Sequence, residues 1–110
     1  AGFEMFGKRY PARSWKDVFV QTCAVLASRD VKLFNSFVDD DSINGRKVQY
    51  FCKDPELIRA PAKVPGTNLY VMTNMNANQI RNTIQKMLQR YDIKTSDYKI
   101  FLRADYAFRS

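Results

Sequence analysis

The sequence predicts an α+β fold, with two main helices packed on one face of a largely antiparallel mixed sheet in the order β-β-α-(α)-β-β-α-β. Two stretches repeat apolar residues at helical spacing behind polar caps, and several shorter ones alternate apolar with polar residues. The length of 110 residues suits a single hydrophobic core. Hydrophobic residues make up 45% of the chain and aromatics 14%, which excludes a disordered tail.

Phe3 to Ala12 alternates aromatic and polar residues around Gly7, the pattern of a short strand, a turn and a second strand. Ser14 then caps a helix, with Asp17 in the position of a capping-box acid. Trp15, Val18, Phe19, Thr22, Val25 and Leu26 form its inward stripe. Val20, Cys23, Ala24 and Ala27 widen that stripe, so this helix is expected to be the more buried of the two. After a break at Arg29-Asp30, Val31 to Val38 predicts a short second helix. Asp39 to Gly45 reads as a turn, with Asn44-Gly45 the preferred pair for a tight hairpin, followed by a strand over Lys47 to Lys53.

Asp54 caps one helical turn that has Pro55 at its first position. Pro61, Pro65 and Gly66 mark an irregular excursion over Ile58 to Thr67, and Asn68 to Thr73 returns to a strand. Asn74 or Asn76 caps the second long helix, whose inward stripe is Ala77, Ile80, Ile84, Met87, Leu88 and Tyr91. A last strand is expected over Tyr98 to Arg103. Tyr10 to Asp30 and Tyr70 to Asp92 echo one another as strand end, polar cap and helix, with slight side-chain identity.

Residues 1–110 read as one domain, and an opening without Met points to one excised or trimmed from a longer protein. No apolar stretch approaches the roughly 20 residues of a membrane span, and the start is not a signal peptide. Cys23 and Cys52 lie in apolar surroundings and there is no histidine, so the four ligands of a structural zinc site are missing. Two sparse thiols give no disulfide framework; reduced thiols in a cytoplasmic protein are expected, with one Cys23 to Cys52 bridge as the alternative.

Eighteen basic residues against eleven acidic ones give a formal net charge of +7, which favours anionic partners. Asp39-Asp40-Asp41 is the only concentrated acidic run. Asn74 to Tyr91, by contrast, contains amides and cations but no Asp or Glu. Asn78, Arg81, Asn82, Gln85, Lys86, Gln89 and Arg90 form its outward face. Asn and Gln match adenine edges, Arg matches guanine, and Lys or Arg matches phosphate, a combination suited to a DNA groove. The bland reading is that Gln, Lys and Arg are good helix formers on any solvated face. A second basic cluster, Lys8, Arg9, Arg13 and Lys16, surrounds the start of the first helix with Tyr10 among it, and a third set is Arg46, Lys47 and Lys53.

Catalysis finds little support in the residue pattern. There is no histidine base, no Cys-His pair and no glycine-rich phosphate loop, and no metal or cofactor is expected. Asp40-x-Ser42-x-Asn44-Gly45 looks like the start of a calcium loop, but Phe51 occupies the place of its closing Glu.

At Tyr10-Pro-Ala-Arg-Ser14-Trp15-Lys-Asp-Val and Tyr70-Val-Met-Thr-Asn-Met-Asn-Ala-Asn78-Gln-Ile, the chain resembles an uncharacterised domain at the ends of bacterial and phage proteins. Some of those proteins resemble restriction or other defence components. The resemblance spans most of the chain, implies an accessory or sensor module, and supplies no functional residue. Two readings compete, and a third, an enzyme with an unfamiliar site, has no residue set behind it. One is a non-catalytic nucleic-acid-binding accessory domain, with DNA favoured over RNA. The other is a module for protein interaction, with parent-protein domains or as a homo-oligomer, built on Phe3, Phe6, Phe101, Tyr106 and Phe108.

Overall fold

The computed structural model describes residues 2–45 and 48–101, so Arg46, Lys47, Tyr106, Phe108 and the end of the expected last strand lie outside the described residues. Strands β1 (Gly2–Met5) and β2 (Lys8–Pro11) lead into helices α1 (Trp15–Arg29) and α2 (Val31–Asn35). Strands β3 (Phe51–Cys52), β4 (Pro61–Lys63) and β5 (Tyr70–Met72) follow, then helix α3 (Ala77–Arg90) and strand β6 (Tyr98–Ile100). Short 3-10 turns cover Ser36–Asp39, Pro55–Leu57 and Thr95–Asp97.

The α+β class and the antiparallel pairing hold, but the strands form two sheets rather than one. Their orders are β2-β1-β6 and β3-β5-β4, and every pairing is antiparallel. Residues 58–67 are not wholly irregular either, because β4 pairs with β5 through Ala62 opposite Val71. Pro61 opens β4 at the edge of its sheet, where a missing N–H is tolerated. Asn44 is not a hairpin residue. Its amide donates to the Phe37 and Asp40 carbonyls, and its oxygen accepts from the Tyr50 and Phe51 N–H groups, while β3 pairs with β5 instead.

The caps match the sequence closely. Ser14 Oγ accepts from the Asp17 N–H, while the Asp17 carboxylate accepts from Arg13 rather than from Ser14. Asn76 and Gln79 form a reciprocal capping box at the start of α3. At its other end Tyr91 is the cap, Asp92 takes φ 59°, and the Asp92 and Ile93 N–H groups bond to the Gln89 and Leu88 carbonyls. That is a Schellman ending with Asp where Gly is usual.

Helix α1 touches both sheets. Its Thr22 hydroxyl lies 2.6 Å from the Tyr98 hydroxyl of β6, and its Phe19 ring meets Phe51 of β3 edge-on at 6.2 Å between centroids. Phe34 and Phe37 close around Phe51 from the following helical segment, at 5.9 and 5.5 Å. All four phenylalanine rings are fully buried.

Helix α3 lies along α1. Trp15 meets Arg81, Cys23 Sγ is 3.9 Å from Met87 Sδ, and the Tyr91 hydroxyl reaches the Leu26 and Asp30 carbonyls. The partner numbers rise together, so the two helices run in the same direction with their N-termini at one end. Ile80, Thr83, Ile84, Met87 and Leu88 are the buried residues of α3. Thr83 joins the stripe despite its hydroxyl because that hydroxyl donates to the Gln79 carbonyl one turn back. Among the described residues no helix is long and apolar enough to cross a membrane.

Two stability outcomes are expected. Phe51→Ala removes the ring shared by α1, α2 and the 3-10 turn and should cost about 3–5 kcal/mol in urea denaturation, whereas Leu57→Ser, at a side chain 69% exposed, should change stability by less than about 0.5 kcal/mol. Asp92→Gly should raise stability by roughly 0.5–1 kcal/mol, since it relieves a left-handed non-glycine residue and removes a negative charge from a helix C-terminus.

Candidate nucleic-acid interface

All of the sequence-predicted site residues, Lys8, Arg9, Arg13, Lys16, Asn78, Arg81, Asn82, Gln85, Lys86, Gln89 and Arg90, are exposed. Exposure alone does not make them one surface. Strand alternation separates Lys8 from Arg9. Lys8 pairs with Met5 on the sheet face turned to the helices, with its Nζ 5.4 Å from the centre of the Tyr10 ring. Arg9 pairs with Glu4 on the opposite face, where Glu4 also faces Lys99, and its guanidinium lies 4.5 Å from the Phe101 ring centre. Arg9 therefore points away from the helix layer and does not extend an α3 surface.

Arg13 and Lys16 lie at the start of α1, the end at which α3 also begins. They flank Trp15 in sequence, and the Arg81 guanidinium stands 5.0 Å from the Trp15 ring centre. The parallel course of α1 and α3 sets both helix N-termini at this same end, and aligned peptide dipoles make such ends positive. Arg13, Lys16, Arg81 and Asn78 thus belong to one end of the molecule. Asn82, Gln85, Lys86 and Gln89 carry that surface along the exposed side of α3, which holds no acidic residue.

Arg90 stands apart as a correction to the predicted face. Its Nε donates to Asp40 Oδ2 at 2.9 Å, and its terminal nitrogen donates to the Ser42 hydroxyl. Ser42 in turn donates to Asp40 from both its hydroxyl and its backbone N–H. The Ser42 side-chain hydrogen bond, more than the arginine beside it, holds the Asp40 carboxyl below its usual range against a smaller opposing effect of burial. Gln79 is engaged as well, by the capping box. Asp40, Ser42 and Asn44 are thus used internally or by Arg90, which accounts for the residues that looked like a calcium loop.

Two buried groups near the helix contact are chemically quiet. Burial pushes the Cys23 thiol well up, and it also raises the Tyr98 phenol, against the lowering effect of Thr22. Cys23 and Cys52 are both buried and unlinked. The interaction reading loses one of its anchors, because Phe3 is fully buried, stacked on Tyr10 at 4.9 Å. Phe6 and Phe101 are each 37% exposed, but Arg29 lies over the first and Arg9 over the second.

Sequence reasoning missed a groove beside this surface. Arg81 and Gln85 of α3 and Thr95 before β6 border it, above Ile84, Leu88, Tyr98 and Ile100. Its volume is about 290 Å³. Ile100 and Tyr98 could have been placed on one face of β6 by alternation, but nothing local set β6 beside α3. Comparison with protein-family models and with curated proteins found no match.

The ion pair yields a pH expectation. Asp40 titrates lower in the folded than in the unfolded chain, so its contribution is present above the ordinary carboxylate range and lost as pH falls through the folded value. Asp40→Asn should therefore flatten the decline of stability below about pH 4 in acid titrations of unfolding, while changing neutral-pH stability by less than about 1 kcal/mol because the pair is partly exposed.

Proposed function

We propose that the chain is a non-catalytic nucleic-acid-binding accessory domain, with DNA as the favoured partner. The observation that carries this reading is the Trp15–Arg81 contact, which joins the basic start of α1 to the acid-free outer side of α3. Arg13, Lys16, Arg81 and Lys86 supply the phosphate contacts. Asn78, Asn82, Gln85 and Gln89 supply amides that can both donate to and accept from base edges. The fourteen residues of α3 make a rod about 21 Å long, enough to lie along a groove.

Several features support this placement. An arginine against an indole face is held by the ring quadrupole while its N–H groups remain directed outward in the guanidinium plane. Arg90 is set apart from this surface because its Nε and one terminal nitrogen are engaged by Asp40 and Ser42. Protein interaction through exposed aromatics has less support, since Phe3 is core and arginines cover Phe6 and Phe101. The restriction-like and defence-like resemblance is compatible with a module that delivers a partner domain to nucleic acid.

Binding to a labelled 20-base-pair duplex, followed by fluorescence anisotropy over a salt series, tests the proposal. Affinity should fall steeply with salt. Replacing Arg13, Arg81 and Lys86 one at a time by Ala should each reduce the log–log salt slope by roughly one. Asp40→Asn, by releasing Arg90, should strengthen binding or leave it unchanged. Slopes that stay the same in all three alanine variants would remove this end of the molecule from the interface.

A further inference from the structure

The groove between α3 and β6 has a chemistry distinct from that of the basic surface it adjoins. Its floor is hydrocarbon. Ile84 and Leu88 are almost fully buried, Ile100 is half-buried, and the Tyr98 hydroxyl is already engaged by Thr22, which leaves the ring as that residue's contribution. Among the described residues the polar groups that line it are at the rim: the Arg81 guanidinium, the Gln85 amide and the Thr95 hydroxyl. Among the described residues no carboxylate lines it.

We propose that this groove receives one unpaired base of a bound DNA strand, a proposal that rests on the nucleic-acid reading given above. The apolar floor disfavours a phosphate, which would lose its hydration there without compensating partners. A heterocycle suits it better, because its faces are apolar and its edge is polar. Half-buried Ile100 supplies most of the apolar surface against which a ring face can lie, with the edges of Ile84 and Leu88 beneath it. Gln85 can meet both donors and acceptors on a base edge, and Arg81 can donate to a base acceptor or to the adjoining phosphate.

The size is consistent with that occupant. About 290 Å³ falls at the small end of ligand sites, which run from roughly 300 to 1,000 Å³, and so suits a single heterocycle. A base within a duplex has both faces stacked and cannot enter, so the occupant must be extruded or single-stranded. Charge complementarity selects a polyanion over an apolar peptide. The groove shares Arg81 and Gln85 with the acid-free side of α3, so a strand whose phosphates follow that side passes directly over its mouth.

Three DNA oligonucleotides separate the possibilities: a fully paired duplex, the same duplex with one bulged nucleotide, and that bulge made abasic. Affinities are read by anisotropy with wild type and with Thr95→Trp, which fills the groove from an exposed position. The bulged duplex should bind about tenfold more tightly than the paired one, a gain within the range of stacking a single base. The abasic bulge should lose that gain. Thr95→Trp should abolish the preference and keep the affinity for paired duplex. Equal affinities for all three DNAs, or a preference that survives Thr95→Trp, would overturn the base slot while leaving duplex binding standing; a groove that serves an apolar peptide gives the first of these results. Absence of binding to any of the three overturns both proposals.

Discussion

The arrangement of this molecule depends on α1 being gripped from several sides. One sheet holds it through the buried Thr22–Tyr98 hydroxyl contact, the other through Phe19 against Phe51, and α3 through Cys23 and Met87. The Tyr91 hydroxyl finishes the grip by reaching the Leu26 and Asp30 carbonyls, each of which also accepts a backbone N–H, from Asp30 and Phe34. Neither three-stranded sheet has strands longer than four residues, and sheets so small need a packed face to persist. Both find it on α1 and its neighbours. The parallel course of α1 and α3 follows from the same contacts, and with it the gathering of two helix starts at one end.

What could be read from the sequence was local chemistry. Ser14 and Asn76 announce their helices because a short polar side chain must satisfy the first free N–H groups, and this need is visible within four residues. The Phe6-Gly7 turn was placed by Gly7, yet Phe6 takes φ 55° beside Gly7 at 73°, a left-handed pair in which Phe is unexpected. Arg29 from the end of α1 lies 3.5 Å from the Phe6 ring centre and fixes this residue from outside its own segment. Strand β4 has only three residues, too few for alternation to register, and β3 pairs over only two residues, Phe51–Cys52, of the strand expected over Lys47 to Lys53. Their pairing with β5 depends on partners up to twenty residues away, and so does the division into two sheets. Asn44 shows the limit well: the side chain that tolerates a tight turn can also make four hydrogen bonds, and only the surroundings decide between these uses.

The candidate site was legible as composition but not as geometry. An absence of acids along α3 is a property of the chain and survives folding. Whether each cation is available is not. Lys8 and Arg9 adjoin in sequence, yet the pleat sends them to opposite faces, a separation that alternation alone implies. Arg81 and Arg90 are nine positions apart on one helix, which at 3.6 residues per turn puts them on opposite flanks of its exposed side. One flank meets α1 and the groove. The other meets the acidic turn that follows α2.

Those two arginines show why net charge is a poor guide to this surface. Asp40 neutralises Arg90 and, together with Ser42, engages its Nε and one terminal nitrogen, so the residue ties the acidic turn to the end of α3. Trp15 restrains Arg81 differently. A ring face attracts the cation without accepting its N–H groups, so the side chain loses rotational freedom while its charge and its planar fork are retained. Ordering a long side chain in advance lowers the entropy lost when it meets a partner. The same formal charge is therefore used in tertiary structure at one end of α3 and left with outward N–H groups at the other.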